Sequence, residues 1–86
     1  MLFRSLTKSL ARDFAPGVRV NAVSPGAILW PENVSDAYQQ QLLAKIPLQR
    51  TGDPLDVARA VVFLATQADY ITGQVLAVDG GRSLNM

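Results

Sequence analysis

The sequence predicts an α/β fold with parallel strands, and three features of the chain lead to this prediction. Residues 18–23 are a run in which apolar side chains alternate with Arg19 and Asn21, and residues 74–78 end in four consecutive apolar side chains. Both runs are rich in Val, which is typical of buried strands. Stretches with helical spacing lie before the first run and between the two runs. Two strands that are joined by a helical crossover usually pair in parallel, and the crossover is right-handed. The predicted order is helix, strand, helix, helix, strand.

The first predicted helix covers residues 1–14. Its apolar side chains lie on one helix face or beside it, and they are Leu2, Phe3, Leu6, Leu10 and Phe14. Pro16 and Gly17 follow directly, and this pair is typical of the end of a helix. We therefore expect a helix that leads almost directly into the first strand.

The first strand is expected to be mostly buried and to end before Pro25. Pro25 has no N–H to give to a sheet ladder, and Gly26 frees the next backbone step. Ala27 and Ile28 then follow as irregular backbone at the carboxyl end of the strand. Ligands of open α/β sheets bind at this end of the strands, so the segment is a candidate binding site.

The second predicted helix lies beyond a loop that contains Pro31. Either Ser35 or Asp36 can cap its first turn, and the helix should continue through Lys45. Pro47 cannot continue a helix and is expected to end it. The sequence therefore places a short helix between the carboxyl end of the first strand and the third helix.

The third helix has a strong predicted start. Asp53 stands at the N-cap, Pro54 at the first helical position, and Asp56 offers a carboxylate to the exposed amides. The stripe expected to be buried comprises Val57, Ala58, Val61, Val62 and Ala65. The last strand follows at residues 74–78, and its run of four apolar residues predicts cover on both faces.

The composition excludes several kinds of site and partner. The 86 residues make one small domain at most, and their net charge of +1 gives no reason to expect nucleic acid or an anionic membrane as partner. Without Cys or His, the chain has no disulfide, no thiolate or imidazole catalysis and none of the usual zinc sites, so no metal is expected. The absence of a long apolar run or signal peptide predicts a soluble, cytoplasmic protein.

Three motifs carry a resemblance to a known family. They are Asn-Ala-Val-Ser-Pro-Gly at 21–26, Arg-Thr-Gly-Asp-Pro-Leu-Asp-Val-Ala at 50–58, and Ile-Thr-Gly-Gln-Val-Leu-Ala-Val-Asp-Gly-Gly at 71–81. In this order and spacing they resemble the short-chain dehydrogenases/reductases. The resemblance implies a Rossmann-like, doubly wound parallel sheet. Residues 1–86 would be the C-terminal segment of one NAD(P)-binding domain, incomplete on its own.

The motifs that bind phosphate and perform catalysis in that family are missing from this chain. The family's Tyr-x-x-x-Lys pair would precede residue 1, so we expect no catalytic residue here and no activity from the 86 residues alone. Tyr38 and Lys45 do not replace the pair, because seven helical residues separate them by about 10 Å. We interpret them as solvated side chains.

The resemblance also implies where a cofactor and a substrate would lie. The main chain of Pro25, Gly26, Ala27 and Ile28 would face the nicotinamide of NADPH, with the Ile28 N–H on its carboxamide. Leu29 and Trp30 either line the substrate side of the loop or belong to the core.

Two classes of function are compatible with the sequence. Residues 26–32, 45–48, 70–73 and 79–84 resemble pteridine reductases, which reduce dihydropterins or dihydrofolate with NADPH. The alternative within the family is another carbonyl reductase, such as a 3-oxoacyl-carrier-protein reductase. In both cases the partners would be a small-molecule substrate and further copies in a homotetramer. The second class is a non-catalytic interaction module that packs against intact subunits.

Overall fold

The computed structural model describes residues 2–28, 30 and 33–85 and gives the predicted order of elements. The elements are α1 (Leu2–Phe14), β1 (Ala22–Pro25), α2 (Asp36–Ala44), α3 (Pro54–Thr66), β2 (Val75–Val78) and a closing 3-10 helix (Arg82–Asn85). In these ranges, no helix has the length and hydropathy needed to cross a bilayer. The predicted α/β class is confirmed.

The two strands form a parallel pair. Ala22 lies opposite Val75, and the register continues to Pro25 opposite Val78. α2 and α3 lie between the strands in the chain, so the connection is the helical crossover that the sequence predicts. The carboxyl ends of β1 and β2 therefore meet at the same end of the sheet.

β1 begins and ends later than the sequence predicts. The predicted strand covers residues 18–23, whereas the observed strand covers Ala22–Pro25. The segment before it is held differently, because the Val20 N–H donates to the Thr72 hydroxyl over 3.0 Å and the Gly73 N–H donates to the Val20 carbonyl over 2.7 Å. Thr72 thus supplies a side-chain bond where a strand would use its ladder.

Pro25 lies inside β1, so the expectation that the strand ends before it is wrong. The N–H groups of Ala22 and Gly26 point towards β2, where they donate to Gln74 and Val78. Because backbone directions alternate along a strand, the nitrogen of Pro25 faces the other edge of β1. Proline is tolerated there, since no ladder bond to β2 is lost.

α1 packs through small side chains and leaves its large ones exposed. Thr7 and Ala11 are buried, and the Thr7 hydroxyl donates to the Phe3 carbonyl over 2.9 Å. Four apolar side chains of the helix are at least half exposed, namely Leu2, Phe3, Leu6 and Phe14. The predicted apolar face exists, but most of it is not covered by the described part of this chain.

α2 and α3 begin with the predicted caps. The Ser35 hydroxyl accepts from the Tyr38 N–H, and α2 ends at Ala44 with Lys45 as its C-cap. At α3, the Asp53 carboxylate accepts from the Leu55 N–H while the Asp53 N–H donates to the Asp56 carboxylate, each over 2.8 Å. This reciprocal pair is a capping box and pins the start of α3.

Arg19 ties β1 to the far end of α3. Its guanidinium donates to the Leu64 carbonyl over 2.8 Å, to Ala65 over 3.2 Å and to Ile71 over 3.3 Å. The first two carbonyls belong to the last turns of α3, where a positive charge also interacts favourably with the helix dipole. One side chain thus fixes the approach to β1 against both the helix and the segment before β2.

The apolar residues of α3 and β2 are only partly covered. Among the described residues the buried apolar side chains are Ala11, Ile46, Leu64 and Ala68. The predicted stripe is more open, with Val61 49% and Val62 58% exposed, and Leu76 of β2 is 39% exposed. A sheet two strands wide cannot cover a helix of 13 residues. An open groove of about 990 Å³ therefore runs between β1 and α3.

Candidate functional site at the carboxyl end of the sheet

Gly26 lies where the two strand ends come closest. Its N–H donates to the Val78 carbonyl over 3.0 Å, which extends the ladder one step beyond β1. A Cβ on Gly26 would lie 2.7 Å from the Cβ and 2.8 Å from the Cα of Asp79. The backbone of Gly26 therefore approaches Asp79 closely, and the fold itself requires glycine at this position.

Ala27 and Ile28 leave the sheet and are held from the side by Gly52. The Ala27 carbonyl accepts from the Gly52 N–H over 2.9 Å. The Ile28 side chain packs against Gly52 so closely that a Cβ on residue 52 would lie 2.8 Å from the Cδ1 of Ile28. Both Ala27 and Ile28 are half-buried. The segment is irregular, as predicted, and it is fixed by a bond across 25 residues of chain.

The Ile28 N–H is the group that could bind a planar amide. It donates no hydrogen bond to any other residue in the described ranges. An amide that bonds none of the described residues can donate to a ligand carbonyl, because backbone donors need partners. A nicotinamide carboxamide offers such an oxygen, so the donor chemistry of the strand end fits the nicotinamide end of NAD(P). The site assignments at Pro25, Gly26, Ala27 and Ile28 stay predictions.

Asp79 closes the same end of the sheet. Its carboxylate accepts from the Gly81 N–H over 2.9 Å and from the Ser83 N–H over 3.1 Å. The Ser83 hydroxyl, followed by the backbone N–H of Gly81, holds the pKa of Asp79 below its ordinary value. Asp79 therefore organises the turn at the end of β2. The segment that follows this turn is the short 3-10 helix, which begins at Arg82.

The turn after β2 also seats the end of α2. Gly80 and Gly81 have φ values of +64° and +92°, which favour glycine. Cβ atoms there would lie 2.8 Å from Ile46 and 2.9 Å from Pro47. The Leu48 N–H donates to the Gly80 carbonyl over 3.0 Å. The chain that returns from α2 is thus packed on the carboxyl end of β2.

The charged groups beside Gly52 serve the start of α3. The Asp56 carboxylate accepts from the Asp53 N–H, and this bond is the main reason that the pKa of Asp56 is lowered. Arg50 lies 3.7 Å from Asp56 as an exposed ion pair, which contributes little to stability. The predicted roles of Asp53 and Asp56 as helix caps are confirmed.

The segment between β1 and α3 carries three side chains that the sequence analysis singled out, namely Trp30, Tyr38 and Lys45. Trp30 is half-buried, and Leu29 lies outside the described residues. Tyr38 is 53% exposed on α2, and Lys45 follows that helix as its C-cap. The structure does not bring this Tyr and Lys into one helical turn, in agreement with the interpretation that they are not a catalytic pair. Within the described ranges no acidic cluster could hold a metal.

Comparison with known proteins decides the family. A family model described as "Enoyl-(Acyl carrier protein) reductase" matches residues 2–83. The chain belongs to the short-chain dehydrogenases/reductases. This match confirms the predicted family and, with it, the Rossmann-like class of the fold. The proteins of this family are oxidoreductases that bind a nicotinamide cofactor.

Individual relatives narrow the position within the short-chain dehydrogenases/reductases. A 3-oxoacyl-(acyl-carrier-protein) reductase from Staphylococcus aureus is 49% identical over 80 residues, which are 88% of this chain and 32% of that protein. A glucose 1-dehydrogenase from Gluconobacter oxydans is 44% identical, over 93% of this chain and 32% of that protein. These similarities favour the hypothesis of a carbonyl reductase, such as a 3-oxoacyl-carrier-protein reductase, over the hypothesis of a pteridine reductase.

A solved structure gives the same result for the fold. The crystal structure of a short chain dehydrogenase from Leptospira borgpetersenii, solved with bound NAD+, matches with a TM-score of 0.83 and 44% identity. The match covers 93% of this chain and 32% of that one. The chain therefore spans about a third of the length of the proteins that it resembles.

Sequence reasoning missed Gly52, which holds the candidate site from the side. It falls within the Arg-Thr-Gly-Asp-Pro motif, where it looks like an ordinary turn glycine before a helix. Its bond to Ala27 joins residues 25 positions apart, and no local pattern signals such a pair. Asn21 also bonds distant backbone, since its side-chain amide donates to the Ile71 carbonyl and its side-chain oxygen accepts from the Gln74 N–H.

Proposed function

We propose that this chain is the C-terminal part of an NADPH-dependent short-chain reductase that reduces 3-oxoacyl thioesters to 3-hydroxyacyl thioesters. The observation that carries the proposal is the strand end itself, where irregular main chain leaves the carboxyl end of a parallel sheet and the Ile28 N–H donates to none of the residues that the structure describes. The 49% identity to a 3-oxoacyl reductase supports the substrate class over a dihydropterin.

In this proposal the described residues bind and orient rather than react. The Ile28 N–H donates to the carboxamide oxygen of the nicotinamide, which fixes the face of the ring that meets the substrate. The cofactor supplies the hydride. Trp30, on the loop that follows Ile28, offers an apolar surface to the acyl chain of the substrate. The proton donor comes from residues outside this chain.

Exposed surface supports the view that these residues are part of a larger domain. The accessible surface is 6516 Å², whereas a folded protein of this mass exposes about 5000 Å². The radius of gyration is 15.4 Å, against about 12 Å for a compact domain of this length. The groove between β1 and α3, at the free edge of β1, is where further strands and helices would pack.

The exposed apolar side chains of α1 support assembly of the reductase with further copies of itself. Leu2 is 85% exposed, and Phe3, Leu6 and Phe14 are each 54% exposed. Several large apolar side chains exposed on one helix are typical of an interface. We propose a homo-oligomer, in which α1 lies either at that interface or against the remainder of its own domain. Light scattering on the whole gene product measures the oligomeric state.

The test uses the whole gene product, that is, the protein encoded by the complete reading frame that contains these 86 codons. Oxidation of NADPH and of NADH is followed at 340 nm with acetoacetyl-coenzyme A and, separately, with dihydrobiopterin. The proposal expects turnover of the thioester with NADPH and little turnover of the pterin. Faster turnover of dihydrobiopterin than of the thioester would contradict the proposal and support a pteridine reductase instead. No turnover and no binding of either cofactor would leave the interaction module as the function.

A further inference from the structure

Gly52 stands at the point where the chain returns to the strand end that it left 25 residues earlier. Its N–H donates to the Ala27 carbonyl over 2.9 Å, next to the residue proposed to bind the carboxamide. On its other side Gly52 joins Asp53, which begins α3 through the reciprocal capping box with Asp56. The bond therefore connects the start of a helix to the candidate site.

Glycine is required at residue 52 because a side chain would clash there, and not because the backbone has a conformation that only glycine adopts. Its φ is not in the left-handed region, so alanine could adopt the same backbone conformation. A Cβ would nevertheless lie 2.8 Å from the Cδ1 of Ile28, well inside van der Waals contact. The next nearest atom is an Asp56 carboxylate oxygen at 3.5 Å, which is an ordinary contact. The glycine therefore makes room for Ile28 in particular.

We propose that Gly52 is a positioning residue for nicotinamide binding. It holds the main chain of Ala27 through the hydrogen bond and gives the Ile28 side chain its seat, and together these set the direction of the Ile28 N–H. This inference deepens the proposed function and rests on it. The end of the Ile28 side chain is flexible, so a Cβ at residue 52 displaces Ile28 without unfolding the protein.

The first experiment compares two ligands in the whole gene product. NADPH carries the nicotinamide, and 2′-phospho-ADP-ribose lacks it, so the ratio of their dissociation constants isolates the nicotinamide contribution. We expect Gly52→Ala to weaken NADPH binding about three- to tenfold, the size of an off-rotamer displacement, and to leave 2′-phospho-ADP-ribose unchanged. A purely structural role would weaken both ligands equally, and that result would overturn the inference.

Rescue and control variants test the steric cause. Ile28→Val removes the Cδ1 atom that the new Cβ would strike, so Gly52→Ala combined with Ile28→Val should regain most of the lost affinity for NADPH. Gly17→Ala is the matched control, because a Cβ there meets only the Phe14 carbonyl oxygen at 4.0 Å. It should change neither ligand. Failure of the double variant to regain affinity would contradict the steric account.

A measurement on the unaltered protein keeps the inference testable if Gly52→Ala does not fold. Amide hydrogen exchange of peptides that contain Ile28 and Gly52 should slow with NADPH and stay unchanged with 2′-phospho-ADP-ribose. Equal protection by both ligands, or by neither, would overturn the role of Gly52. An unaltered protein that binds neither NADPH nor NADH would instead refute the proposed function, and the inference would fall with it.

Discussion

Replacement of Arg19 by Met should destabilise the protein more than any other exchange of a partly exposed arginine in this chain. Methionine keeps the length and apolar volume of the side chain but removes the guanidinium. Three carbonyls then lose a donor, those of Leu64, Ala65 and Ile71, at distances of 2.8, 3.2 and 3.3 Å. The side-chain connection from the approach to β1 to the end of α3 is lost, whereas Asn21 still bonds the Ile71 carbonyl in the segment before β2.

The magnitude follows from the geometry of these bonds. A hydrogen bond from a charged donor contributes about 1.5–3 kcal/mol, and a cation at a helix C-terminus adds about 0.3–1 kcal/mol. Arg19 is only half-buried, so water replaces part of what the carbonyls lose. The bond to Ile71 is also long. We therefore expect a loss of about 2 kcal/mol in the free energy of unfolding.

Thermal unfolding of the whole gene product measures this loss. The S. aureus relative, of which 80 residues are 32%, has about 250 residues, and in a protein of that size 1 kcal/mol shifts Tm by about 2–4 °C. Arg19→Met should therefore lower Tm by about 4–8 °C. Arg4→Met is the control, since Arg4 is exposed on α1. Equal Tm values for the two variants would refute the role of Arg19.

Three further predictions concern the site. Gly26→Ala should cost about 1–3 kcal/mol of stability, because its Cβ meets the backbone of Asp79, and a Tm equal to that of Gly17→Ala would contradict this. The lowered pKa of Asp79 means that its carboxylate stabilises the fold above the ordinary pKa and that this contribution is lost as pH falls through the lowered value. The stability difference between the unaltered protein and Asp79→Asn, from urea unfolding, should therefore shrink between about pH 7 and pH 3, and a constant difference would refute the assignment. Trp30→Ala should raise KM for acetoacetyl-coenzyme A several-fold and leave KM for NADPH unchanged, whereas equal increases would mean that the loop has lost its order.

The features that could be predicted from the sequence are those with local causes. The capping box of α3 needs only Asp53 and Asp56 three residues apart, and the start of α2 needs only Ser35 before a helical stretch. The parallel pairing followed from two apolar runs joined through helices. Each of these depends on short spacing or on chain connectivity, which the sequence displays directly.

The features that could not be predicted depend on contacts between distant segments. β1 lies further along the chain than its apolar pattern indicates, because Thr72 and Gly73 bond Val20 outside the ladder. Pro25 remains in the strand because its nitrogen faces the edge away from β2. Gly52 acquires its role through Ala27, 25 residues away. The prediction that the stripe on α3 is buried is wrong for the described residues, because burial depends on what packs against a helix and the two strands leave Val61 and Val62 exposed.

A crystal structure of the whole gene product with NADPH tests the central claim most directly. The distance to measure joins the backbone nitrogen of Ile28 to the carboxamide oxygen of the nicotinamide. We predict a hydrogen bond of about 2.7–3.2 Å, with the Gly52 N–H still on the Ala27 carbonyl. A nicotinamide that lies away from residues 25–28, with its carboxamide bound by another part of the protein, would contradict the account.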